Sequence, residues 1–238
     1  MKTMSDMKLD VRVYPLDDPK GNTKAFASVA IDDLAAIRGI RVVDSEKGLF
    51  VTMPQSQDNT GIYHDIAFPL DGELRKEITA AVLDEHTRVA SLDPSMRGYE
   101  KTEMTGRSAE GVKIDVKVYP IDEPKKDTLA FASVSLDDTV AIRGIRVVAS
   151  EKGNFVSMPQ SKDNDGKFHD VAFPLSGDLR REISRAVLSE HKAMTAEKKQ
   201  SFGERLNEGA ERAAQFNAGR AAVPGMAAAK SHGAGVLE

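Results

Sequence analysis

The sequence predicts an α+β fold built from two copies of one small domain, each a four- to five-stranded antiparallel sheet followed by a helix. Three observations lead there. The chain repeats itself: Lys8 to His86 aligns with Lys113 to His191 without a gap at an offset of 105, with roughly 54 of 79 positions identical. Within each copy the apolar residues first recur with a period of two, as in half-buried strands, and then switch to helical spacing. Two long units indicate duplicated domains, since a solenoid needs three or more shorter ones.

In the first copy, Leu9, Val11 and Val13 alternate with Asp10, Arg12 and Tyr14, the pattern of a strand with one face covered. Asp17, Asp18, Pro19, Lys20, Gly21 and Asn22 supply turn chemistry. A second strand over 24–31 sets Phe26 and Ser28 against Ala25, Ala27 and Val29, and Asp32-Asp33 ends it as a turn. A third strand covers 37–43, with Gly39 a candidate bulge. Gly48 opens a fourth over 49–53, closed by Pro54, and a short fifth over 62–68 ends at Pro69. Leu74, Ile78, Ala81 and Val82 then fall at helical spacing, with Asp71 at the N-cap. The second copy repeats this with Leu179, Ile183, Ala186 and Val187, capped by Ser176. Each copy, at about 80 residues, is marginal on its own core, so the two are expected to pair as a pseudo-dimer, edge to edge or face to face.

These readings divide the chain into an N-terminal extension (1–7), a first domain (8–90), a linker (91–112), a second domain (113–194) and a tail (195–238). The tail is expected to begin as a helix of modest amphipathicity, carrying Phe202, Leu206, Ala210, Ala213 and Phe216 and weakened by Gly203, Gly209 and Gly219. From residue 223 it is expected to be disordered.

Composition narrows the class. Apolar residues make up 40% and charged residues 29% of the chain, as in ordinary globular proteins. No run approaches the roughly 18 apolar residues of a membrane span, and no cysteine is present for disulfides, thiolate metal sites or thiol nucleophiles. A cytoplasmic protein without membrane contact is expected. A net charge of −4 and a pI near 5.8 do not suit a general nucleic-acid coat, although binding responds to local rather than total charge. The first copy carries about −5 and the second about −1, which favours the second for any phosphate contact.

Several segments recur in fixed order: IRVV at 40–43, GLFVTMP at 48–54, DIAFPL at 65–70, and Arg75 leading through Ile78 to AVLDEH at 81–86. This ordered set, present twice, resembles the SpoVG family and covers about two-thirds of the chain, leaving out the linker and tail. Two departures stand out: Asn154 replaces the apolar Leu49 of the first copy, and His86 and His191 occupy a position where the family usually carries Tyr. The resemblance implies a small cytoplasmic bacterial regulator, tied to sporulation and septation, that pairs as a dimer and binds DNA or RNA site-specifically. It also implies nucleic-acid contacts at the start of the C-terminal helix, here Arg75 and Lys76, and Arg180 and Arg181, with Arg185 one turn on. Helix N-termini with adjacent cations do suit phosphates. Against that, the same residues can simply pair with Glu77, Glu85, Glu182 or Glu190.

Arg38 and Arg41, with Arg143 and Arg146, alternate with apolar residues on a strand. They can extend a basic sheet face, or pair with Asp32, Asp33 and their equivalents. His64-Asp65 and His169-Asp170 do not make a metal site, because neighbours on a strand point to opposite faces and no second histidine cluster completes a ligand set. No phosphate loop, nucleophile elbow or zinc spacing is present, and neither enzymatic activity nor a cofactor is expected. Two readings remain: a nucleic-acid-binding regulator, or an interaction scaffold that has lost nucleic-acid affinity and docks a protein partner through the tail helix. Unpaired sheet edges leave further self-association open.

Overall fold

Strand β1 (Leu9–Pro15) runs into β2 (Thr23–Ile31), β3 (Ala35–Ser45) and β4 (Gly48–Thr52), followed by three short strands, β5 (Gln55–Gln57), β6 (Tyr63–Asp65) and β7 (Ala67–Pro69), and helix α1 (Gly72–Ala90). The second repeat gives β8 (Ile114–Pro120), β9 (Thr128–Leu136), β10 (Val140–Val148), β11 (Phe155–Ser157), β12 (Gln160–Lys162), β13 (Phe168–Asp170), β14 (Ala172–Pro174) and α2 (Gly177–Ala221). The computed structural model describes residues 7–19, 21–58, 60–97, 106–124, 126–162 and 165–221, with side chains through 215. Most of the N-terminal extension, part of the linker and the tail from 222 on, including the expected disordered end, lie outside these residues.

The expected fifth strand is divided. At Ile66 the chain leaves the β5–β6 hairpin: the Ile66 N–H donates to Pro54 O (2.8 Å), while its carbonyl accepts from the Arg143 N–H of the other repeat (2.7 Å). The next strand, β7, pairs antiparallel with β10, placing Ala67 opposite Ile142 and Pro69 opposite Val140. Reciprocally, β14 pairs with β3, with Ala172 opposite Ile37 and Pro174 opposite Ala35. The two five-stranded sheets are therefore each completed by the other repeat. Long β3 uses one edge for β2 and divides the other between β14 near its start and its own β4 near its end. The expected pseudo-dimer is present, and strand exchange joins its halves.

The turns explain the register. Asp32 and Asp33 both have positive φ (50° and 54°), and the Leu34 N–H donates to Ile31 O at 2.9 Å. This primed hairpin turn matches the twist of the strands, and aspartate tolerates the left-handed region better than most side chains. Asp137 and Asp138 repeat it. Gly39, with φ +74°, is the extra residue between the Ile40–Ala27 and Arg38–Ser28 pairs, so the expected bulge is there. It shifts the alternation by one, and so Arg38 and Arg41 face outward together while Ile37, Ile40 and Val42 are fully buried.

Leu74, Ile78 and Val82 of α1 are buried, joining Val13, Val29, Ile31 and Ile37 in the core. Leu179, Ile183 and Val187 of α2 are likewise fully buried. Each such side chain contributes roughly 1.5–3 kcal/mol. The two repeats form one compact unit that ends at Ala193, and a second unit begins at Met194. The helix expected from Thr195 has no separate start, because α2 is continuous in sequence from Gly177. Residues 188–200 hold no glycine or proline to stop it. In the second unit Phe202 and Leu206 are exposed.

After the linker's 3-10 turn at Pro94–Met96, residues 106–112 pack against the repeats. The Arg107 N–H donates to Asp33 O (2.8 Å), and its guanidinium bonds Asp32 (3.3 Å) and the equivalent Asp137. One linker arginine thus ties the two matching turns together. A Cβ on Gly106 would lie 2.3 Å from Ser176 N and 2.4 Å from Leu175 C. Gly106→Ala is accordingly expected to destabilise the fold by about 1–3 kcal/mol in urea denaturation.

His86 yields a pH prediction. Its Nδ1 is buried with no hydrogen-bond partner among the described residues, and burial lowers its pKa below the ordinary imidazole value. The unfolded chain therefore binds the proton more readily. Stability is full above the unfolded value and falls as pH drops through it. Denaturation compared at neutral and mildly acidic pH should show this loss, and His86→Phe should reduce it.

Candidate functional site

The helix starts are largely occupied by their own chain. Asp71 Oδ1 accepts from the Glu73 N–H (2.6 Å) and Ser176 Oγ from the Leu179 N–H (3.0 Å), as the two expected caps. Arg75 pairs with Asp65 and Arg180 with Asp170, both at 2.5 Å. Gln55 donates to the other oxygen of Asp65 (2.9 Å) and Gln160 to that of Asp170 (3.0 Å). Lys76 turns back to Glu73 (2.7 Å), Arg181 to Asp178 (3.1 Å), and Arg185 to Glu182. Of the glutamates expected as partners for these residues, Glu182 takes that role.

The sheet arginines differ. Asp32 and Asp33 are engaged by Arg107 and Lys8. Among the described residues no carboxylate lies within ion-pair distance of Arg38, Arg41, Arg143 or Arg146. Arg38 instead lies over the Phe173 ring, 4.7 Å from its centroid, and Arg143 over Phe68 at 4.8 Å. Both contacts cross from one repeat to the exchanged strand of the other. Arg146 donates to Ser157 Oγ (3.3 Å). The bulges at Gly39 and Gly144, both with positive φ, are what turn each arginine pair outward.

At one exchange seam, Arg38 of the first repeat and Arg180 of the second line an open depression of about 370 Å³, together with Phe168, His169, Asp170 and Phe173. Phe168 is 65% exposed. Two arginines against one carboxylate leave the depression positive. The repeat symmetry gives Arg143, Arg75, Tyr63, His64, Asp65 and Phe68 at the equivalent positions.

His64 and Asp65 go separate ways, as adjacent strand residues should. His64 Nε2 contacts Asp58 Oδ2 (2.7 Å), whereas Asp65 holds Arg75. The Asp58 carboxyl is held well below the usual range by the Thr60 hydroxyl and by His64. Among the described residues no group of three or more His, Cys, Asp or Glu is placed to hold a metal.

Both repeats are similar to known proteins over nearly their whole length. The SpoVG family model matches this chain twice, at residues 7–88 and 112–193. The chain belongs to the SpoVG family. Relatives named as septation protein SpoVG include one from Exiguobacterium, 38% identical over 82 residues (34% of this chain, 83% of the relative). One from Clostridium perfringens is 36% identical over 84 residues (35% and 92%), and one from Myxococcus xanthus is 36% identical over 77 residues (32% and 76%). Each aligns with about one repeat, so this chain carries two SpoVG units in tandem. The Leu49-to-Asn154 departure lies at an exposed position in both SpoVG repeats and leaves the core intact.

The aromatic partners are not predicted from sequence. Phe68, Phe173 and Phe168 give no local sign of which repeat they face. Tyr14, Phe26 and their equivalents do carry a signal, standing at polar-phase positions of their strands. Because Arg75 and Arg180 are half exposed, Arg75→Ala or Arg180→Ala should change stability by no more than about 1 kcal/mol in urea denaturation. Phe173→Ala should cost about 1–2 kcal/mol, through reduced burial and the missing cation–π interaction at the seam.

Proposed function

We propose that this SpoVG-family chain is a non-catalytic regulator that binds nucleic acid, with phosphates held at the exchange seams. The observation that carries the reading is the meeting of Arg38 and Arg180, from different repeats, in one open positive depression. A phosphate there would engage the Arg38 guanidinium and share Arg180 with Asp170, forming charge-assisted bonds. Arg181 and Arg185 add charge around the start of the same helix, and Arg75 with Lys76 does so for the first repeat. Arg41 and Arg146 continue the positive charge across the sheets. The second repeat, nearer neutrality, is the stronger contact. No helix among the described residues is long and apolar enough to cross a membrane, and a cytoplasmic setting fits this role.

The test is fluorescence anisotropy of the full chain with mixed DNA and RNA oligonucleotides at two salt concentrations. Salt-sensitive binding is expected. Arg38→Ala and Arg180→Ala should each weaken it across sequences and lower the slope of log affinity against log salt by about 0.7–0.9 for each phosphate no longer engaged. Unchanged affinity in both variants would overturn the site assignment.

Exposure of Phe202 and Leu206, one helical turn apart, supports a second reading, in which the tail docks a protein partner. Removing residues 195–238 would then abolish partner capture and leave oligonucleotide affinity unchanged.

A further inference from the structure

The outer faces of both sheets carry rows of side chains that include aromatic rings with no part in phosphate binding. In the second sheet Tyr119 stands opposite Phe131, Phe131 opposite Arg146, and Arg146 opposite Ser157. The first sheet repeats the row as Tyr14, Phe26, Arg41 and Thr52. Tyr119 is 57% and Phe131 46% exposed, although burying rings of this size is normally favourable. Residues directly opposite on one face have Cβ atoms about 4.5–5.5 Å apart. The three side chains from Tyr119 to Arg146 thus span roughly 10 Å, which is two strand spacings.

We infer that each row is a stacking platform for the unpaired bases of single-stranded nucleic acid, with two or three bases lying on one sheet. The inference rests on the nucleic-acid reading above and specifies its ligand. Two observations favour this occupant. The face is aromatic and cationic together: Lys117, Arg143 and Arg146 have no carboxylate within ion-pair distance among the described residues. Such a surface complements a strand that offers both π-faces and phosphates. Moreover, the platform consists of flat rings on a pleated surface. A base must leave its stack to reach the rings, and a paired base is already stacked. Phosphates run past Arg143 and the seam while the bases lie across Tyr119 and Phe131. The second sheet is the stronger platform, since in the first Arg12 is paired with Asp10 and Lys24 with Asp44.

The test compares short fluorescein-labelled single strands of RNA and DNA with the duplex of the same sequence, by anisotropy at low salt, using the full chain. Single strands should bind at least about tenfold more tightly than duplex. The double variant Tyr119→Ala/Phe131→Ala should lose about tenfold or more for single strands and leave duplex binding unchanged. Phe131→Trp should retain the wild-type affinity. Both rings are exposed, and an unchanged thermal melt would confirm that the double variant folds. Arg75→Ala, at the seam beside Arg143, should in contrast weaken single strands and duplex alike. Equal binding of single strands and duplex, with the ring variant indistinguishable from wild type, would overturn the platform and leave phosphate binding standing. No binding of any oligonucleotide would overturn both.

Discussion

Three-residue strands exchanged between the repeats hold this molecule together. A sheet edge presents unpaired N–H and C=O groups, and the first half of β3 is such an edge until β14 reaches it. β10 depends on β7 in the same way. Neither repeat completes its sheet from its own residues. The seam creates the rest: Arg38 has an aromatic partner only because Phe173 arrives from the other repeat, and the positive depression joins a sheet arginine of one repeat to a helix arginine of the other. A single copy of the first repeat would possess every side chain type at the site but, until paired with a second copy, not the seam that brings them together.

Much of this was legible in the sequence, for local reasons. Period-two alternation, turn residues and helix caps act over a few residues, so β1 to β4, the Asp32-Asp33 turn, the Gly39 bulge and the Asp71 and Ser176 caps could be read directly. The partner of β7 could not. The segment Ala-Phe-Pro is identical in both repeats, so no side chain distinguishes pairing within a repeat from pairing between repeats. The choice is made at Ile66, where the chain leaves the hairpin. The candidate site divides along the same line. Its cations were visible by type, but which carboxylates would neutralise them was a tertiary question. It was decided by Asp65 and Asp170 on neighbouring strands and by Arg107, which withdraws Asp32 from the sheet arginines.

That division also reconciles an acidic chain with a positive seam. Aspartates concentrate in turns, where their backbone preferences place them, and there they are met by Lys8, Lys113 and Arg107. The bulges carry the arginines away from those turns, onto the outer faces. Net charge describes the whole, while a ligand at the seam responds to the few groups within a screening length.

Joining the two repeats in one chain also changes what selection can do with them. When two separate identical chains pair, every substitution is made at both seams at once, and assembly depends on how often the chains meet. Here the partner is always present at the effective concentration set by a short tether, with Arg107 fixing where the tether lies. Each seam is free to vary alone. The halves have already drifted apart in charge and at positions such as Leu49 and Asn154. A symmetrical ligand would gain nothing from that drift, whereas a strand with a direction, whose two ends differ, would find in it a preferred way round.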